Sequence, residues 1–180
     1  LIDAAFLNFV IPDIKNYFEK TLQRSLQEID LSLFTSYLTL DAGINEGKNE
    51  VQFLFVYDKE SRHLQHCQPS DLQEELNGVA FQSPYGEFSF AGVPSEGMVS
   101  REDLFMDLLS VVSDSVDVKR MIVVSFNEEY GKKVTDVLQG LKSKEVMQFR
   151  MNEPEIPVNY KWDMLAFPVM HSLGIRAEEL

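Results

Sequence analysis

Val51-Gln52-Phe53-Leu54-Phe55-Val56-Tyr57-Asp58 is a nearly unbroken apolar run that stops on a carboxylate. A run of this kind, without polar alternation, suits a strand buried on both faces, and such strands belong to parallel sheets covered by helices. Two further segments share the form. Leu1-Ile2-Asp3-Ala4-Ala5-Phe6 reads as a strand closing on Asp3, and Met121 to Phe126 runs into Asn127-Glu128-Glu129. Val146 to Phe149 reads as another strand.

Helical patterns fall between these runs. Ile11-Pro12-Asp13 reads as a helix start, since Pro suits a first turn and Asp the positive end of the dipole. Ile14, Tyr17, Phe18, Leu22 and Leu26 follow at helical spacing. Asp30 to Gly43 fits a capped helix, although Leu31, Leu33, Thr35, Tyr37 and Thr39 also alternate as in a strand. Ser70 or Asp71 caps a short helix that Gly78 ends. Ser100-Arg101-Glu102-Asp103 opens a helix as a capping box does, and Glu128 to Leu141 is a second. Trp162, Leu165, Ala166, Val169, Met170 and Leu173 read as a closing helix kinked at Pro168. Val79 to Ala91 reads as a hairpin turning at Ser83-Pro84-Tyr85-Gly86. The alternation predicts a single three-layer α/β domain over residues 1–180, with a mainly parallel central sheet plus one β-hairpin.

Composition narrows the function. Apolar residues make up 44% and charged residues 25%, the balance of a chain with a real core. The formal net charge of −13 repels phosphate backbones, which makes nucleic acid an unexpected partner. No apolar run is long enough to span a bilayer, so no membrane partner is expected. Cys67 stands alone, which excludes an internal disulfide and fits a cytoplasmic setting. The chain opens inside an apolar strand without an initiating Met, so residues upstream are expected.

In a parallel sheet the carboxyl ends of the strands share one edge, where ligands bind. Asp3 and Asp58 would meet there, joined by Asn127, Glu128 and Glu129. Asp3, Asp58, Glu128 and Glu129 are therefore candidate catalytic acids. Asp3, Asp58 and Asn127 are candidate oxygen ligands for Mg2+ or Mn2+. Each has a plainer reading: Asp3 as a loop organiser, Asp58 as a solvated turn, Asn127 as a helix cap, and the glutamates as acids favoured by a helix dipole.

Ile2-Asp3-Ala4-Ala5-Phe6-Leu7-Asn8 and Val123-Val124-Ser125-Phe126-Asn127-Glu128-Glu129, in the order strand–Asp–helix, strand–Asp, strand–polar turn–helix, resemble the PIN-like and NYN nuclease superfamily. The resemblance implies acids at strand ends that bind Mg2+ or Mn2+ for RNA hydrolysis. The second segment sits where NYN-like domains run into Ser-Gly-Asp-Gly-Asp-Phe. Phe126 replaces the glycine, and Asn127 replaces the metal-binding acid with a neutral carbonyl oxygen. The chain also resembles uncharacterised families of gut Bacteroidetes, a likeness that implies no function.

His63, His66 and Cys67 are ligand types that zinc prefers, but they lack a fourth ligand unless His171 supplies it. No phosphate loop, nucleophile elbow or dinucleotide fingerprint is present. Phe81, Tyr85, Phe88 and Phe90 crowd residues 79–92, where a projecting hairpin would offer an apolar surface to a protein partner or a second copy. Two functions follow as expectations. One is a PIN-like domain with a decayed metal site, acting through protein contacts or self-association. The alternative is a Mg2+- or Mn2+-dependent nuclease using the strand-end carboxylates.

Overall fold

A computed structural model describes every residue from Leu1 to Leu180. In chain order the elements are β1 (Ile2–Asp3), α1 (Ala4–Leu22), β2 (Ile29–Asp30), α2 (Leu31–Asp41), β3 (Asn49–Tyr57), β4 (Cys67–Gln68), β5 (Ala80–Ser83) and β6 (Gly86–Pro94). There follow α3 (Arg101–Asp114), β7 (Arg120–Val123), α4 (Asn127–Gln139), β8 (Glu145–Arg150), β9 (Lys161–Met164) and α5 (Ala166–Ser172).

The strands are parallel apart from β5. β1 pairs with β3 and β3 with β6, while β5 turns back antiparallel along the outer edge of β6. β7, β8 and β9 form a second parallel group. A parallel bridge between Ile2 and Val124 joins the two groups. It is held by Asp3 N–H to Val124 O at 2.8 Å and Val124 N–H to Leu1 O at 2.9 Å. Across the molecule the order is therefore β9-β8-β7-β1-β3-β6-β5. The chain builds outward from β1 in one direction, then crosses through α3 and builds outward in the other. That reversal places a topological switch point between β1 and β7, and open α/β sheets bind ligands at the carboxyl ends beside such a point.

Both faces are covered, as the apolar runs require. Phe53, Phe55 and Tyr57 point to one side of β3 with Phe88 and Phe90 of β6, under Phe6, Leu7, Val10 and Ile11 of α1 and the apolar sides of α2 and α5. Val56 points to the other side with Met121, Val123 and Val146, under Phe105 and Leu109 of α3 and Tyr130, Val134 and Leu138 of α4. The period-2 alternation of a strand thus feeds two cores at once. No helix is long and apolar enough to cross a membrane.

Several elements differ from the sequence reading. β1 is only two residues long, and α1 begins at Ala4 instead of Pro12, because Asp3 accepts N–H bonds from Ala5 at 2.9 Å and Phe6 at 3.3 Å. By contrast, the capped helix read over Asp30 to Gly43 is present, with the Asp30 carboxylate accepting from Ser32 N–H at 2.9 Å and Gly43 stopping it at φ +82°. Lys161–Met164 is strand β9 and not the start of a helix, since its main chain pairs with β8. Pro168 lies in the first turn of α5, where no N–H is needed, and produces no kink. The hairpin does not project from the sheet but extends it. β6 is an interior strand bonded to β3 along its length, so Phe88 and Phe90 are 0% and 4% exposed and are not a surface.

Candidate functional site

Four elements deliver polar groups to the carboxyl edge at the switch point. Asp3 ends β1 and caps α1. Asp58 follows β3 and closes a tight turn by accepting from Ser61 N–H at 3.0 Å. Arg101 is the first residue of α3, set by Ser100, whose hydroxyl accepts from Asp103 N–H at 3.0 Å. Glu129 and Tyr130 lie in the first turn of α4, where Tyr130 leaves helical geometry (φ −145°, ψ 25°) and turns its side chain inward.

These groups form one network around a guanidinium. Arg101 Nε donates to Asp3 Oδ2 at 3.0 Å, Nη1 to Asp58 Oδ2, and Nη2 to Glu129 Oε1. The Tyr130 hydroxyl donates to the same Asp3 oxygen. Asp3 is fully buried, the Arg101 side chain is 12% exposed, and its guanidinium lies 5.5 Å from the centre of the Phe126 ring. Burial raises the Asp3 carboxyl above its ordinary value, with Tyr130 and Arg101 pulling the other way. Asp58 is also partly buried, but hydrogen bonds from Ser61 and Arg101 outweigh burial and hold it below the usual range. Burial alone would lower Arg101, yet Asp3 and Asp58 raise it, so it stays charged. Burial and the neighbouring Asp3 both push the Tyr130 hydroxyl up, so it stays a donor.

The convergence of Asp3, Asp58 and Glu129 follows the geometry expected of the strand ends. Glu128 is exposed and stands outside the network, and the Asn127 side-chain oxygen accepts from the Ser125 hydroxyl at 2.6 Å. No three His, Cys, Asp or Glu side chains are grouped to hold a metal ion. Asp3 has one oxygen on the α1 amides and the other on Arg101 and Tyr130. The residues as placed therefore do not fit the divalent cation that the resemblance implies, because a guanidinium already stands among the carboxylates.

The zinc candidates are not brought together. His63 Nε2 faces Asp71 at 3.3 Å and His66 Nδ1 faces Glu28 at 3.6 Å. Cys67 is buried, which pushes its thiol up to about 12, and His171 packs beside the Tyr37 ring at 5.3 Å.

Arg101 and Tyr130 are the residues that sequence reasoning missed. The signal for Arg101 was its position. A cation at the first helical residue opposes the dipole, and that is a reason to look for an acid partner. Tyr130 carried no comparable signal. Residues 1–180 match a family described as a family of unknown function (DUF6621). No curated protein and no solved structure matches the chain.

Proposed function

The chain belongs to the DUF6621 family of unknown function, and we propose that it is a PIN-like α/β domain in which Arg101 has taken the place of a divalent cation. On this reading it works through protein contacts, made by β5, the exposed outer strand of the hairpin at 79–92, and does not hydrolyse nucleic acid. The observation that carries the proposal is the three-way engagement of one guanidinium by Asp3, Asp58 and Glu129. A buried carboxylate needs a compensating charge, and here the chain supplies it covalently. The net charge of −13 supports the same side, since affinity for a phosphate backbone rests on cations.

A Mg2+- or Mn2+-dependent nuclease is the second reading. It is favoured by the meeting of Asp3, Asp58 and Glu129 on the edge where ligands bind, and opposed by the cation already among them. Calorimetric titration of Mn2+ into the protein, with a parallel assay on labelled single-stranded RNA, separates the two. We expect no saturable heat and no cleavage. Saturable Mn2+ binding that disappears in Asp3→Asn, accompanied by cleavage, would establish the nuclease and end the first reading.

A further inference from the structure

The two edges of the sheet are guarded differently. β9 carries Lys161 and Asp163, charges that disfavour pairing with another strand. β5 is Ala80-Phe81-Gln82-Ser83, with neither charge nor proline. Its free hydrogen-bonding groups can be assigned from the ladder. A two-residue loop, Pro84-Tyr85, makes Ser83 and Gly86 the closing bonded pair. Bonded pairs alternate along an antiparallel ladder, so Phe81 bonds with Phe88, and Phe90 N–H reaches Val79 O at 2.8 Å. Ala80 and Gln82, both exposed, therefore turn their N–H and C=O groups away from β6, and β5 pairs with no other strand.

These free groups are symmetric about Phe81, and we infer that β5 pairs antiparallel with β5 of a second copy of this chain, on a two-fold axis at Phe81. Ala80 of each copy then exchanges two hydrogen bonds with Gln82 of the other, four in all. Phe81 faces its counterpart as a non-bonded pair, the arrangement that brings side chains closest. Phe81 suits this position. It is half-buried, stacked on Phe90 at 5.7 Å and 19° and tilted against Phe88 at 5.7 Å, so its open side is what a second Phe81 would cover. Such a contact is isologous and closed, which ends assembly at the dimer. The uncharged strand places no like charges opposite one another at the axis. The inference rests on the reading that the chain works through protein contacts.

An interface of one short strand is small, so the dissociation constant should be on the order of micromolar or weaker. Sedimentation velocity from about 5 to about 500 µM brackets that range. Gln82→Pro removes one outward N–H and leaves the β5–β6 ladder untouched. The wild-type mass should rise to that of a dimer, while Gln82→Pro stays monomeric with an unchanged circular dichroism spectrum. If Gln82→Pro does not fold, Ala80→Lys/Gln82→Lys replaces it and should weaken the dimer by at least about tenfold through edge charge. A wild-type protein that is monomeric throughout, or a folded edge variant that dimerises as the wild type does, overturns the inference. Neither result bears on Mn2+, so this failure and that of the proposed function remain separate.

Discussion

Arg101 sits where a helix least wants a cation, at the positive end of α3 and largely out of water. The side chain stays because three carboxylates compensate it, and Asp3 in turn depends on it. Arg101→Met should cost about 3–5 kcal/mol, the usual penalty for leaving one member of a buried pair unpaired. Asp3→Asn retains an oxygen for the Ala5 and Phe6 amides, so Asp3→Asn/Arg101→Met should recover at least about 1 kcal/mol relative to the sum of the two single changes. The pH dependence has a definite sign. Asp3 is raised, so its contribution is present below about 3.9 and is lost as pH climbs; Asp58 is lowered, so its contribution is present above about 3.9 and is lost as pH falls. Arg101→Met pushes Asp3 further up and releases Asp58. Both effects enlarge the deficit of the variant between about pH 3 and pH 6. Urea unfolding of the two proteins at pH 3.5 and pH 7 measures it, and a deficit that ignores pH would break the assigned partnership.

Gly86 is the point at which the hairpin can lie against β3. Gly86 begins β6 at φ +125°, where an added Cβ would lie 1.9 Å from the Asn49 carbonyl oxygen of β3. Gly86→Ala must part β6 from β3, and we expect its thermal midpoint to drop by more than about 5 °C. Gly97 also has positive φ, at +65°, but nothing lies within 4 Å of a Cβ added there, so Gly97→Ala should cost no more than about 1 kcal/mol. Comparable losses at the two positions would show that strand contact is not what Gly86 protects. The turn itself was visible in Ser83-Pro84-Tyr85-Gly86, because turn chemistry is local. The start of α1 and the existence of β9 were not visible. Ala4 and Ala5 suit either state, and only the Asp3 cap decides between them. Trp162 and Leu165 fall at helical spacing, and only pairing with Met147–Arg150 decides for a strand.

The acids of the edge were legible because each closed an apolar run, and parallel strands share their carboxyl ends. Their cation was not, since Arg101 stands 98, 43 and 28 residues from Asp3, Asp58 and Glu129, and no local pattern spans such distances. That side chain ties β1 and β3, from before the crossover, to α4 after it, inside a molecule whose net charge is −13. Two electrostatic contributions then oppose each other as salt is added. Exposed pairs such as Arg176–Glu178, at 3.7 Å, weaken on screening, but solvated pairs of this kind contribute little to stability. Repulsion among the excess acids is long-ranged, and it fades as the Debye length falls from about 30 Å at 0.01 M to about 8 Å at 0.15 M. The second should win, so the thermal midpoint should rise with NaCl over this range. Arg101→Met should rise more steeply, because three carboxylates have lost their shared cation. A midpoint that falls with salt would mean the surface pairs outweigh the net charge. Equal slopes would mean that Arg101 is screened like any exposed cation, contrary to its burial.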